Sequence, residues 1–182
     1  NHVSGCCTAL RKSWLEIALP IPAEINAHDT WITTLADKIN ARNLYFQPLI
    51  YYRRHDRNAS HSPTYNINPT SKNLNSIFTL NHKFKRTSAE KIQELDSEIQ
   101  ALKIYSERIS VFKKTSTETS MILAAEKFII ENQDKIGWLA TRKAILGATP
   151  VKRIKLAIKH YIKGSYRKSN GIFSAISDAL TQ

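Results

Sequence analysis

The feature that most narrows the fold is a helical repeat in the middle of the chain. Ile92, Leu95, Ile99, Leu102 and Ile109 recur at spacings of three, four and seven, with Ser106 in the one interrupted place. Side chains three and four apart share a helix face, so this pattern predicts an amphipathic helix with one apolar seam. Thr87 and Glu90 stand where a capping box would open it. KKTSTETS at 113–120 reads as a turn with several capping residues, and Ile122, Ala125, Phe128 and Ile129 predict a second helix over 119–135. Two such helices joined by a short turn make a helical hairpin.

Around that hairpin the punctuation is clear. A small-residue turn near Gly5 leads into a short predicted strand at 8–10. A helix over 12–19 follows, stopped by Pro20 and Pro22, since proline lacks the amide donor and restricts the residue before it. A helix is expected over 30–41, with Asp29 as its N-cap and Trp31, Ile32, Leu35 and Ile39 as its buried stripe. LYFQPLIYY at 44–52 is aromatic and β-leaning. The polar stretch after it reads as a long loop. Beyond the hairpin, helices are expected over 138–146, over 150–163 between Thr149 and Gly164, and over 172–180.

Composition bears on partners. The 182 residues carry 27 Lys+Arg against 15 Asp+Glu, a formal net charge of +12, and 42% apolar residues suffice for a core. The charge is uneven: residues 137–182 hold nine basic residues and one acidic, whereas 88–136 hold seven and nine. Lys152, Lys155, Lys159 and Lys163 share a face of the helix expected over 150–163, with Arg142, Lys143, Arg153, Arg167 and Lys168 nearby. Such a surface suits an anionic partner, and an anionic membrane is the expected one. A DNA-binding helix-turn-helix around Gly147 fits less well, because Arg153 stands where that motif wants an apolar residue. The two adjacent cysteines, Cys6 and Cys7, form no disulfide framework and lack zinc-site spacing. A reducing compartment is expected. No apolar run approaches the roughly 18 residues of a membrane span, and no signal peptide is visible. The chain opens on Asn1 rather than Met, so processing or a longer parent chain is expected.

Two motifs carry a resemblance. S-G-C-C-T-A-L-R-K-S-W-L-E-I-A-L-P-I-P at 4–22, followed by A-H-D-T-W at 27–31, is similar to the second half of bacterial family-2 glycosyltransferases. P-L-I-Y-Y-R-R-H-D-R-N at 48–58 resembles that family's P-L-x-x-Y-R-x-H-x-x-N, with Asp56 where the family often has glycine. The tail from Gly164, with Tyr166, Arg167, Asn170, Gly171 and Asp178, is similar to the family's ending.

The resemblance implies the C-terminal part of a GT-A α/β fold, mainly α with a few short strands, plus the helical hairpin and the basic helical tail. It divides the chain into an acceptor-side half of the glycosyltransferase domain at 1–62, a loop and linker at 63–86, the hairpin at 87–136 and the basic tail at 137–182. It implies an inverting transfer from a nucleotide-sugar donor to a surface polysaccharide or lipid-linked glycan, at the inner face of the cytoplasmic membrane. Asp29 would be the catalytic base, flanked by His28 and Trp31 on the substrate side. Gly5 and Cys6 would line the wall behind the donor sugar. Arg53 and His55 would meet the diphosphate, with His55 a candidate metal ligand. Lys152, Lys155, Lys159, Lys163 and Arg167 would hold anionic groups. The family's divalent cation, Mg or Mn, is bound mainly through a D-x-D motif, and no D-x-D occurs in this sequence. The alternatives are a non-catalytic basic module docking on membrane or protein, and a DNA-binding protein. On the favoured reading no nucleic acid is a partner.

Overall fold

The computed structural model describes residues 7–25, 27–49, 51 and 86–181. Six α-helices order this part of the chain: α1 Trp14–Ala18, α2 His28–Lys38, α3 Ser88–Thr115, α4 Thr119–Leu146, α5 Pro150–Ile162 and α6 Ile172–Ala179. A 3-10 turn, Ser165–Lys168, joins α5 to α6.

The hairpin forms as its pattern predicts. Glu90 N–H donates to Thr87 Oγ1 at 3.2 Å and Thr87 N–H donates to Glu90 Oε2 at 2.8 Å, so the capping box closes. α3 and α4 each run 28 residues, about 42 Å at the usual helical rise. Their seam is apolar except at one level. There the buried Asn132 amide donates to Leu102 O at 3.1 Å and Ser106 Oγ at 2.9 Å. Ser106, the interruption in the repeat, is thus the polar partner of a residue on the facing helix. Ion pairs Glu98–Lys135 (2.7 Å), Asp96–Lys143 (2.6 Å) and Glu126–Lys113 (2.7 Å) line the flanks. Each is exposed and contributes little stability, yet all three match only one antiparallel register.

The two ends of the hairpin carry different neighbours. Near the 116–118 turn, Trp31, Leu35 and Ile39 of α2 pack on Ile109, Phe112, Ala125 and Phe128, with Trp14 and Ile17 of α1 against them. At the far end Leu95, Leu139 and Leu146 form a second core. Beside it Trp138 packs with Tyr166 and Ala175, which brings in the 3-10 turn and α6. Gly164, at φ +73°, occupies the left-handed position after α5 and turns the chain there.

Three expectations are corrected. First, no strand occurs among the described residues, so the expected GT-A α/β part with short strands is replaced by an all-helical arrangement. Residues 8–10 and 44–49 have no ladder. The β-leaning side chains Leu44, Tyr45, Phe46 and Leu49 are exposed, Phe46 to 88%. A strand is stabilised by its cross-strand neighbours, and propensity alone does not supply them. Second, α4 continues through Gly137 to Leu146 where two helices were expected. Glycine lowers helix propensity by only about 1 kcal/mol, and the packing of Leu139, Ile145 and Leu146 outweighs that. Third, α2 starts at His28 with Ala27 as N-cap, so Asp29 sits within the first turn.

Candidate functional site

Asp29 owes its position to the residue two places on. Trp31 is fully buried. Its indole N–H donates to Ala18 O at 2.8 Å, and its ring tilts against Tyr105 with centroids 4.8 Å apart. Arg108 of α3 completes the anchor. Its guanidinium lies 5.6 Å from the Trp31 ring centre, and it donates to Ile17 O, Leu19 O and Pro20 O at 3.0, 2.6 and 2.8 Å. Those carbonyls belong to the C-terminal end of α1 and the chain leaving it, and a helix end leaves such acceptors without intrahelical partners. One arginine therefore ties α1, α2 and the hairpin together.

The result is a carboxylate at the rim of a rigid base. Asp29 is half-buried, its Oδ1 accepts the Thr30 N–H at 2.7 Å, and Thr33 Oγ1 donates to Asp29 O at 2.7 Å. A helix N-terminus favours negative charge. His28 beside it is exposed. The structure thus holds Asp29 and His28 at the surface and turns Trp31 into the core. Arg53, His55, Gly5 and Cys6 lie outside the described residues, so the YRRH motif and the donor-side wall do too. Cys7 is exposed.

The cations of the tail divide into two sets. Lys152, Lys155, Lys159, Lys163 and Arg167 are exposed. The others have inward or paired roles. Arg142 donates from Nε and Nη2 to the two oxygens of Asp178, both at 2.8 Å, and Tyr166 O–H donates to Asp178 Oδ2 at 3.1 Å. Asp178 is fully buried. Burial opposes the charge on Arg142, but the Asp178 hydrogen bonds and charge outweigh it and raise its pKa. Burial and the adjacent Asp178 push the Tyr166 hydroxyl well up. Arg153, which the sequence suggested as surface charge, is buried and donates to Ala148 O at 3.1 Å and to Thr181 O. Lys91 of α3 reaches Ser177 O at 2.8 Å, Ser177 Oγ at 2.7 Å and Thr181 Oγ1. Burial lowers its pKa against the pull of Asp178. Three cations from three helices thus hold the segment 177–181. Between α3, α4 and α6 lies a groove of about 560 Å³, whose wall includes Arg86, Lys135, Lys168 and Phe173.

Sequence reasoning missed Arg108, Asn132 and Lys91. Asn132 had a readable signal, a polar residue opposite the interrupted Ser106. Asp178, the one acid in a nine-cation tail, was likewise visible in sequence.

Asp29 is the one acidic residue in the first turn of α2. Among the described residues no cluster of three His, Cys, Asp or Glu could hold an ion. No helix among them is long and apolar enough to cross a membrane. Comparison with protein-family models, with curated proteins and with solved structures finds no match to this chain.

Proposed function

We propose that this chain carries the acceptor-side base of a sugar transferase that works at the inner face of a bacterial cytoplasmic membrane. The observation that supports it is the setting of the A-H-D-T-W motif. Asp29 stands at the rim of α2 while Trp31, two residues on, locks that helix to the hairpin. A positioned carboxylate within reach of a hydroxyl is a general base.

The step that follows is an inverting transfer. Asp29 accepts the proton of an acceptor hydroxyl as that oxygen bonds to the anomeric carbon of a nucleotide-sugar. The bond from that carbon to the diphosphate breaks, and the electron pair leaves with the nucleoside diphosphate. Arg53 offers the bidentate contact a diphosphate takes, and His55 a further donor. The acceptor is a surface polysaccharide or lipid-linked glycan. No step is assigned to a metal.

The test is Asp29→Asn in the protein as the cell makes it. Transfer falls by about 100-fold or more, the usual scale of general-base catalysis, while nucleoside diphosphate binding is kept. Near-parental turnover would reduce Asp29 to a helix-start residue. It would favour the rival reading, a non-catalytic membrane module, which the exposed lysines also support.

A further inference from the structure

α5 is built inside out. The side chains it turns to the protein are the buried Arg153 and Ala157, with Leu156 and His160 half-buried. Its β-branched residues face away. Val151, Ile154, Ile158 and Ile162 follow spacings of three, four and four and form one stripe. Val151 is 68% exposed, Ile158 54% and Ile162 77%. Each is followed directly by a lysine: Lys152, Lys155, Lys159 and Lys163. The lysines form a second stripe alongside the first, and no carboxylate among the described residues pairs with any of them. No Asp or Glu occurs from 135 to 177. Asp178, the next acid, is spent on Arg142 inside the fold.

We propose that α5 is a lipid-docking helix, which lies along an anionic leaflet with its Val/Ile stripe in the acyl boundary and its lysine stripe among the headgroup phosphates. A helix with one apolar face and a lysine-rich flank lies in a membrane interface in this way. Other occupants satisfy half the surface. A second copy would bury the apolar stripe but bring lysine rows of like charge together. Duplex DNA would neutralise the lysines and leave the isoleucines in water. An anionic leaflet takes both. The inference deepens the membrane-peripheral part of the proposed function and does not depend on Asp29.

The test measures partition of the full chain onto vesicles of phosphatidylcholine mixed with phosphatidylglycerol, against phosphatidylcholine alone. Binding is expected to the anionic vesicles only. Lys155→Glu with Lys159→Glu lowers it about 25-fold or more, since each lysine near an anionic surface contributes about five-fold. Ile158→Ser with Ile162→Ser lowers it about tenfold, the scale of withdrawing two partly inserted side chains. Circular dichroism matching the parent shows that both variants fold. Asp29→Asn binds vesicles like the parent, so loss of the transferase reading and loss of this one are told apart. The proposal is overturned if the isoleucine pair binds as the parent does, because adsorption without insertion needs no apolar stripe. It is overturned too by failure to bind anionic vesicles, whether or not sedimentation then shows a dimer that the isoleucine variants dissolve. Tighter binding to duplex DNA at matched ionic strength would also reject it.

Discussion

Asp178 is a single carboxylate on which much of the C-terminal end depends. It accepts from Arg142 and Tyr166 in a site closed to water. Asp178→Ala leaves Arg142 charged and unpaired, and a broken buried pair costs about 3–5 kcal/mol. Urea denaturation reads that loss as a lower midpoint. The same site predicts an alkaline limb. The Tyr166 pKa is raised above its ordinary value of 10.0 in the folded protein. Below about pH 10 both states keep the proton and its contribution is complete. As pH rises from there toward the folded value, the unfolded chain releases the proton first and stability falls. Lys91 works the other way, because its folded pKa is depressed below 10.5. Between that depressed value and 10.5 the unfolded chain holds more protons, so stability rises with pH. Melting temperatures of the parent and Tyr166→Phe from pH 8 to 11 isolate the tyrosine. A fall equally steep in the variant would assign the limb elsewhere. Neither pairing was legible in the sequence, because Arg142 and Asp178 lie 36 positions apart.

At the scale of elements, the helices were readable and their partners were not. The repeat from Ile92 to Ile109 predicted α3, and Leu95 in it is buried as expected. Leu95→Ala is expected to cost about 2–5 kcal/mol, the range for a core leucine whose cavity cannot collapse. A loss below about 0.5 kcal/mol would be the scale of a surface change. Arg108 shows what periodicity hides. It lies on the same helix, yet its work is done on three carbonyls about 90 positions upstream. Arg108→Met keeps the stem and removes those bonds; Leu19 O and Pro20 O are exposed and turn to water, so the cost is about 1 kcal/mol, mainly from the part-buried Ile17 O. Hydrogen exchange should speed up in α1 and α2 and leave α5 and α6 unchanged. The misread strands teach the converse. Residues 44–49 have strand composition, but composition does not supply a neighbouring strand. Of the candidate site, the Asp29 neighbourhood was legible because A-H-D-T-W is contiguous. The inward turn of Trp31 was partly so, since the apolar stripe of α2 already contained it.

Across the whole molecule the hairpin keeps its two ends apart. Asp29 belongs to the end at the 116–118 turn, and α5 to the other. Their separation is a matter of reach. With α5 resting on a leaflet and the hairpin standing upright on it, the helix length of about 42 Å is the upper bound on the height at which Asp29 is held above the lipid surface. A hydroxyl next to a lipid phosphate would then lie too low, and the hydroxyl that meets Asp29 would be at the outer tip of a glycan already extended. On the proposed transferase reading, the chain would act as a gauge of acceptor length, idle on short primers and active once the growing end is tall enough. Transfer measured on a ladder of lipid-linked acceptors should show a threshold, and free glycans of any length in solution should show none. Deleting one heptad from each of α3 and α4 shortens the strut by about 10 Å and should move the threshold toward shorter acceptors.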